Sequence, residues 1–498
     1  MRIVIPLSHH SFARVFLFSA NVFLLVVLLA GLFLFTPNTV PVVLAHPGIT
    51  LAQLVNPDGT LNLSTGFNGS LDLAGWQVTL DAKRGPVFTP LNSERPSDVR
   101  WAGLLPRSAT DDGLLTPSEI HVWLPFPNDG LVDSYEPLSN VDALTVVGQE
   151  LYVGGAFSET ADGLVKDLNG IAKFNVLTST WSALPNKGLA GWVEDMALIG
   201  SDIYVGGSFI QTADGNLTDL GRIARFSIAE NKWYALPNGG FDISANVSAF
   251  AVVEDDLYVG GSFLSTGDNT VQLKNIAKFS GGTWSPLPNN GLNGSVYALA
   301  VSGDDMYVGG PFDKTWDQAV VDLNHIAGFS LTSNTWYALP HQGLNSEPQS
   351  FALIGNDLYV GGQFSGTYDG QVTDMNHIAR LSGETWSSLP ENGLNDNVFT
   401  LVSVGTDLYV GGMFNQTANG SMTGLNHIAL FSTGSNTWSA LSNGGLNGNV
   451  QALSVGGGYL VVGGQFFQTA DGEVTELNHI ASYSGVSSFN VCLPLIMR

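Results

Sequence analysis

The sequence predicts an all-β protein, a seven-bladed β-propeller built from four-stranded antiparallel blades. First, a Val-Gly-Gly triplet recurs seven times, every 49 to 54 residues. Second, the units between triplets hold several short apolar runs and no long helical pattern. A period near 50 with several strands per unit is typical of propellers, in which each small sheet buries its faces against its neighbours. Third, 59 glycines and only 12% charged residues suit short strands and tight turns.

The first 45 residues form a separate N-terminal segment, residues 1–45. Arg2 and Arg14 precede an apolar run over residues 15–35, and small side chains follow up to Ala45. This pattern indicates a signal peptide for export, and the run is also long enough for an uncleaved membrane anchor. We favour cleavage after Ala45. Either alternative predicts a secreted or cell-surface, extracytoplasmic protein that touches the membrane only through this segment.

Residues 46–119 do not match the repeat and are expected to form an N-terminal extension. Residues 75–80 and 85–88 have the composition of strands, separated by turn residues. Two or three strands are too few for a secure core of their own. We therefore expect this extension to pack on the ring.

Each repeat predicts four strands, a to d. Strand a is an alternating apolar run such as residues 196–199, and a short acidic turn joins it to strand b, Leu-Tyr-Val-Gly-Gly-x-Phe. Strand c is Ile-Ala-x-Phe, and strand d carries Thr-Trp-x-x-Leu-Pro. These runs, bounded by turn residues, are the expected pattern of a four-stranded blade.

The glycine pair that ends strand b predicts a close approach by a neighbouring element. Glycine weakens a strand interior, so a recurring pair implies that another backbone or a bulky side chain comes near. We expect neighbouring blades to pack across this gap and Gly361→Val to destabilise the fold by overpacking. The pairs are Gly154 and Gly155, Gly206 and Gly207, Gly260 and Gly261, Gly309 and Gly310, Gly361 and Gly362, Gly411 and Gly412, and Gly463 and Gly464.

The strand d tryptophans are predicted to be core residues. The separation between the strand c aromatic or Leu and this Trp is seven residues in four units and five in two. Because strand side chains alternate with a period of two, removing two residues keeps the Trp on the same face. The six positions are Trp181, Trp233, Trp284, Trp336, Trp386 and Trp438.

The ring is predicted to close with a strand taken from before the first repeat. Seven sets of strands a to c are present, but only six Trp strands follow them. Residues 121–131, His-Val-Trp-Leu-Pro-Phe-Pro-Asn-Asp-Gly-Leu, match the missing strand d, so Trp123 completes blade seven. In the alternative, Phe489 replaces the Trp and no blade is shared. The propeller thus covers residues 120–489, with a tail at 490–498.

The repeat resembles known families. A Gly-Gly pair, an aromatic residue, six residues and a Trp are similar to the kelch repeat of β-propellers, although the insert after the glycines is longer and Phe replaces Tyr. The whole unit, YVGG-x-F, NHIA-x-F-S and TW-x-x-LP, resembles repeats of exported bacterial proteins and of fungal cortical polarity markers. This resemblance implies the propeller fold but no single function, because propellers serve as enzymes, receptors and scaffolds.

The segments between strands b and c predict the binding face. A central Asp-Gly or Asn-Gly in most of them suggests a hairpin turn that extends strands b and c outward. In a propeller these segments share one rim with the d-to-a loops. Residues that break the repeat there, and that suit stacking on sugars or polar contacts, are Trp192, Trp316, Tyr368 and His341.

Metal binding is a weaker expectation. Acidic residues in the b-to-c segments could hold calcium through oxygen ligands, with Asp162, Asp214, Asp369 and Asp471 as candidates. Turn formation explains the same residues, so we expect no cofactor, with calcium as the alternative. His325, His377, His427 and His479 occupy one repeat position, and equivalent positions in separate blades are too far apart to share an ion.

The net charge and the motifs of the chain limit the classes of function. A net charge of −25 with 18 Lys and Arg argues against nucleic acid. No isolated catalytic motif emerges, so no catalytic residue is assigned. One hypothesis is a noncatalytic exported binding or scaffold protein whose rim engages an extracellular glycan, peptide or protein. The other is an extracellular carbohydrate-active enzyme, a lyase or hydrolase, on the same propeller.

Overall fold

The computed structural model describes residues 2–5, 69–72, 76–81, 85–90, 121–134, 139–242 and 244–486. The chain divides into two compact units, Met1–Val99 and Arg100–Arg498. The apolar run of the predicted signal or anchor segment, the cleavage position and the tail lie outside the described residues. Within the described part of the chain, no helix has the length and apolarity needed to cross a membrane.

In the first unit, the described residues form two antiparallel strand pairs. One joins β1 (Arg2–Ile5) to β2 (Gly69–Asp72), and the other is a hairpin of β3 (Trp76–Asp81) and β4 (Gly85–Pro90). This hairpin contains residues 76–80 and 85–88 of the two runs that were predicted as strands.

The second unit is a seven-bladed β-propeller, as predicted. Each blade is a four-stranded antiparallel sheet in the order a-b-c-d. Two strands precede blade one, β5 (Trp123–Pro125) and β6 (Leu131–Val132). Blade one contains β7 (Asn140–Val147), β8 (Glu150–Ala156), β10 (Ile171–Asn175) and β11 (Thr180–Ala183), with the short β9 (Glu159–Thr160) between b and c. Blade two contains β12 (Val193–Ile199), β13 (Asp202–Gly207), β14 (Ile223–Ser227) and β15 (Lys232–Ala235).

The other blades repeat this order. Blade three contains β16 (Asn246–Val253), β17 (Asp256–Ser262), β18 (Ile276–Ser280) and β19 (Thr283–Pro286); blade four, β20 (Ala298–Ser302), β21 (Asp305–Gly309), β22 (Ile326–Ser330) and β23 (Thr335–Ala338); blade five, β24 (Pro348–Ile354), β25 (Asp357–Gly362), β26 (Ile378–Ser382) and β27 (Thr385–Ser388). Blade six contains β28 (Val398–Val404), β29 (Asp407–Gly412), β30 (Ile428–Ser432) and β31 (Thr437–Ala440); blade seven, β32 (Val450–Gly456), β33 (Tyr459–Gly464), β34 (Ile480–Tyr483) and β5.

A three-residue 3-10 turn follows every strand d. These turns are Pro127–Asp129, Pro185–Lys187, Pro237–Gly239, Pro288–Asn290, Pro340–Gln342, Pro390–Asn392 and Ser442–Gly444. The a strands of successive blades contact one another around the ring, and β32 contacts β7. The ring is therefore closed.

The glycine pairs permit neighbouring blades to pack, as predicted. A Cβ atom at Gly361 would collide with the side chain of Val398, the first residue of strand a in the next blade. A Cβ at Gly362 would meet the backbone carbonyl of Glu347 in its own blade. The first glycine thus makes room for a side chain of the next blade, and the second makes room for the adjacent strand.

The strand d tryptophans are buried and tie each blade to the preceding one. Phe329 lies opposite Trp336 across the strand pair, and Leu381 lies opposite Trp386, so both loop lengths keep the same face, as predicted. Each indole Nε1–H donates to the backbone carbonyl that begins the 3-10 turn of the preceding blade, at 3.0 to 3.2 Å. Trp336, for example, donates to Pro288 at 3.0 Å.

The strand before the repeats closes the ring, as predicted. β5 pairs with β34, placing Trp123 opposite Tyr483 with ring centroids 4.8 Å apart. Trp123 Nε1 donates to the carbonyl of Ser442 at 3.0 Å, and Trp181 donates to Pro127 at 3.0 Å. The strand d position of blade seven is thus filled by Trp123. The alternative residue, Phe489, lies outside the described residues.

Candidate functional site

We define the rim as the segments between strands b and c together with those between strand d and the next strand a. The two kinds of segment meet through seven antiparallel bridges, each between a buried Thr and a Leu or Phe. Leu189 pairs in this way with Thr212, and Leu344 with Thr367. The prediction that both kinds of segment share one edge of the ring is confirmed.

The b-to-c segments form hairpin turns, as predicted, but the regular strands b and c do not continue into them. In six of the seven blades strand b ends within one residue of its glycine pair, and in blade four it ends at Gly309. Beyond it, side chains supply many of the hydrogen bonds: the Thr212 hydroxyl accepts the Leu217 N–H at 3.2 Å, while Thr212 N–H donates to the Leu217 carbonyl at 2.9 Å. A local Thr and Asp arrangement therefore closes the turn, in addition to the backbone hydrogen bonds between its two arms.

In six of the seven blades, an Asp in the b-to-c segment holds the rim together. In blade two, Asp214 Oδ1 accepts from the Thr212 hydroxyl at 2.8 Å and from the Asn216 N–H at 3.0 Å, while Oδ2 accepts from Asn186 Nδ2 at 3.0 Å. Asn186 lies in the 3-10 turn after strand d of blade one. We call this amide-to-carboxylate contact between blades the rim clamp. It recurs with Asn–Asp pairs at 128 and 162, 238 and 268, 289 and 317, and 443 and 471.

The two repeats without that Asn keep the clamp with other chemistry. His341 replaces the Asn, and its Nδ1 lies 2.9 Å from Asp369 Oδ2. In blade six the roles are exchanged: Asn419 Nδ2 donates to Glu391 Oε2 at 2.6 Å. The departure of Asn419 from the repeat is therefore matched by Glu391, 28 residues earlier in the chain.

The four calcium candidates are the carboxylates of these clamps. The Asn216 backbone N–H, together with Asn186 and Thr212, lowers the pKa of Asp214 to about 2. Backbone N–H donors lead the causes that lower the pKa values of Asp369 and Asp471. Among the described residues, no group of three or more His, Cys, Asp or Glu side chains is arranged to hold a metal ion.

The recurrent histidines occupy a backbone position that every blade shares. This residue precedes strand c with φ between 63° and 72° in all seven blades: Gly170, Arg222, Asn275, His325, His377, His427 and His479. His377 Nδ1 lies 3.2 Å from the Gly362 carbonyl, and burial lowers the pKa of this His. His427 and His479 make the equivalent contact at 3.3 and 3.0 Å, which gives these side chains a structural role.

Exposed apolar side chains concentrate on the rim. Of the twelve exposed large hydrophobic side chains in the described part of the chain, all but Val122 and Leu177 belong to rim segments. Trp192 is 56% exposed, Tyr368 54% and Trp316 40%. Trp316 and Tyr368 follow the bridging Thr in blades four and five and therefore occupy the same repeat position.

Three carboxyl groups that sequence reasoning missed lie at the rim ends of two a strands. They are Asp142, Glu194 and Asp195, here called the carboxyl cluster. Asp142 and Glu194 lie within the register shifts at the starts of β7 and β12, and Asp195 is the next paired residue of β12. Glu194 accepts from Asn246 Nδ2 at 2.7 and 2.8 Å, and Asp195 accepts from the Phe250 N–H at 2.7 Å. The cluster therefore links blade two to blade three.

The carboxyl cluster is protonated more readily than ordinary acids. Burial, and then the charge of Glu194, raises the pKa of Asp142 to about 7. Burial also raises the pKa of Asp195 to about 7 and raises that of Glu194. The signal that could have found the cluster is the residue after the first Val of strand a, which is acidic only at Asp142 and Glu194.

Comparison with known proteins supports a kelch-like propeller whose repeats resemble those of fungal polarized-growth proteins. Polarized growth protein L1 of Phoma sp. is 34% identical over 161 residues, which cover 31% of this chain and 11% of that protein. Polarized growth protein rax2 of Schizosaccharomyces pombe is 34% identical over 102 residues, 20% of this chain and 8% of that protein. Kelch-like protein terF of Aspergillus terreus is 24% identical over 171 residues, 33% of this chain and 37% of that protein.

The matches cover a small part of the polarized-growth proteins and little more than a third of the kelch-like protein. No family model matches the chain. Among solved structures, the computationally designed Ika8 protein aligns with a TM-score of 0.43 at 14% identity, covering 71% of this chain and 99% of that protein.

Proposed function

We propose that this chain is an exported, noncatalytic binding or scaffold propeller that engages an extracellular glycan, peptide or surface protein through its rim. The observation that carries the proposal is the concentration of exposed apolar side chains on that one edge. Exposed apolar groups gathered on one face are typical of interaction sites. The names of two relatives refer to polarized growth. A scaffold at a growing cell surface is the corresponding role that we propose here.

The rim clamps support this function because they hold the binding segments in place. Seven bridges and seven clamps connect each b-to-c segment to the preceding d-to-a segment. A loop that is already ordered loses less conformational freedom when a ligand binds. The rim thus presents Trp192, Trp316 and Tyr368 on a fixed support.

The test is binding of the purified full chain to an array of glycans, cell-wall fractions and surface proteins. Trp192→Ala, Trp316→Ala and Tyr368→Ala are compared with Leu177→Ala, which removes an exposed apolar side chain from the c-to-d turn at the opposite edge. We expect rim variants to lower binding several-fold without changing the melting temperature. Equal losses from Leu177→Ala and the rim variants would show that the rim is not the binding face.

The carboxyl cluster favours a second candidate, a carbohydrate-active hydrolase or lyase. Glycan cleavage commonly uses one protonated carboxyl group as an acid and a second, ionised one as a base or nucleophile. Asp142, with its pKa near 7, suits the acid. Burial raises the pKa of Glu194, while its hydrogen bonds from Asn246 and Ser248 favour the ionised form that the partner needs. Turnover on a panel of polysaccharides that disappears in Asp142→Asn and Glu194→Gln would establish this activity. Absence of turnover on every polysaccharide of the panel would favour the noncatalytic proposal.

A further inference from the structure

Positive charge is distributed unequally around the rim. The rim segments of blades one to four contain Lys166, Lys187, Arg222, Lys274 and Lys314. From residue 340 to residue 486, the only Lys or Arg is Arg380, on strand c, whose guanidinium lies 3.7 Å from Asp357 at the start of strand b. That strand start belongs to the edge opposite the rim. The rim of blades five to seven therefore carries no Lys or Arg.

The same part of the rim carries eight acidic residues. Asp374, Glu473 and Glu476 are exposed and project from the b-to-c segments. The complete set is Glu347, Asp369, Asp374, Glu391, Asp396, Asp471, Glu473 and Glu476. Carboxylates without Lys or Arg among them create a negative potential that attracts positively charged partners and repels anionic ones.

Blade four shows what an aromatic ring at this rim position contacts. The ammonium of Lys274, in blade three, lies 4.6 Å from the centre of the Trp316 ring, within the range of a cation–π interaction. Tyr368 is the repeat equivalent of Trp316 in blade five. The residue equivalent to Lys274 in the blade before Tyr368 is Asn324 of blade four. Its Nδ2 donates to the Gln342 carbonyl at 2.8 Å.

Blades six and seven, which follow the blade of Tyr368, also expose apolar side chains on the rim. Met413 in blade six is 39% exposed, and Phe467 in blade seven is 51% exposed. Tyr368 itself is 54% exposed, compared with 40% for Trp316 beneath its lysine. A ligand for the rim of blades five to seven must therefore combine positive charge with apolar groups.

We propose that the rim of blades five to seven binds a basic segment of a partner protein. A Lys or Arg side chain of the partner lies over the Tyr368 ring, as Lys274 lies over Trp316, and apolar partner side chains contact Met413 and Phe467. This inference rests on the proposed function of the rim and specifies its ligand. Charge complementarity favours a basic peptide over a neutral or anionic glycan.

The experiment measures binding of the full chain to a labelled peptide of about 12 residues containing Lys and Leu, and to the same peptide with Glu in place of Lys. We expect the Lys peptide to bind, to weaken as salt is raised, and to be preferred over the Glu peptide, because exposed charges are screened by salt. Tyr368→Ala is expected to weaken binding about 2- to 5-fold, the range of an exposed cation–π contact. Tyr368→Phe should restore most of the affinity because it keeps the ring.

Two further variants locate the site. Glu473→Lys adds a positive charge to the rim of blades five to seven and should weaken binding of the Lys peptide. Leu177→Ala, at the opposite edge, serves as the control. Equal affinity for the Lys and Glu peptides, or a Tyr368→Ala affinity equal to that of the unmodified chain, would overturn the inference. Glycan binding through the rim without Lys-peptide binding would overturn it while leaving the proposed function intact. Failure of both ligands would count against both.

Discussion

At the scale of single residues, Asp195 replaces a small side chain of the repeat. Equivalent positions in the other blades hold Ala, Ser or Thr. Asp195 accepts from the N–H groups of Met196 at 2.8 Å and Phe250 at 2.7 Å, and Ser350 similarly accepts from the Leu401 N–H at 3.0 Å. A polar side chain here therefore connects strand a to strand a of the next blade.

The first prediction concerns the pH dependence of stability. Burial raises the pKa of folded Asp195 from 3.8 to about 7. The stabilising contribution of Asp195 to the free energy of unfolding is therefore fully present below about pH 4 and is lost as pH rises towards 7. Asp195→Asn removes this titration. Between pH 4 and 7, the free energy of unfolding of the unmodified chain should therefore fall by about 1 to 4 kcal/mol relative to that of the variant. Urea unfolding across this range measures the difference.

Ser350→Ala provides the matched control for Asp195→Asn. It removes an equivalent bond between blades but no titrating group, so its effect should not vary with pH. Asp142 and Glu194 keep part of the pH dependence in the Asp195→Asn variant, because burial raises the pKa of each. Identical pH profiles for the unmodified chain and Asp195→Asn would refute the prediction.

The second prediction concerns the rim clamp. Asn186→Asp places a carboxylate against Asp214 and should lower the melting temperature more than Asp214→Asn does, because like charges in contact repel. The double variant exchanges the two groups, as in the native pair of Glu391 and Asn419, and should recover much of the loss. Thermal unfolding of the four proteins measures this coupling. Additive losses in the double variant would mean that the two side chains act independently.

At the scale of secondary-structure elements, the glycine pair sets how closely blades pack. We predict that Gly361→Val destabilises the fold by about 1 to 3 kcal/mol, because the new side chain must displace Val398. The control is Gly434→Val in the c-to-d turn, where an added Cβ would meet no atom within 4 Å. Denaturant unfolding compares the two variants. A similar small loss in both would show that the gap at Gly361 can adjust.

The strands could be predicted from sequence because their signals are local, while the rim contacts could not. Strand boundaries, the Trp faces and the match of Trp123 to strand d all depend on spacings within one repeat. The His341–Asp369 and Glu391–Asn419 contacts join residues 28 positions apart that meet only in the folded ring. His341 was predicted from its departure from the repeat, and the structure shows what it contacts. In the carboxyl cluster, the acidic residue after the first Val of strand a is visible in the sequence, but the contacts of Glu194 and Asp195 with blade three arise only in the folded ring.

At the scale of the whole molecule, the propeller is a closed cycle of equivalent contacts. Seven indole N–H groups bond to seven turn carbonyls, and the contact from Trp123 to Ser442 is one of them, although it joins residues 319 positions apart. A closed ring leaves no blade with an unpaired inner neighbour, which protects sheet edges. Stability at the closure should therefore equal stability at any other junction between blades.

The final prediction tests this equivalence. Trp123 and Trp438 are 3% and 6% exposed, and each donates to the turn of the preceding blade at 3.0 Å. We expect Trp123→Ala and Trp438→Ala to destabilise the chain by similar amounts, about 3 to 5 kcal/mol each, because each leaves a cavity and an unbonded carbonyl. Trp192→Ala, with a 56% exposed ring, should have little effect in the same urea unfolding experiment. If Trp123→Ala is as mild as Trp192→Ala, β5 adds nothing to the ring, and blade seven must be stable with three strands.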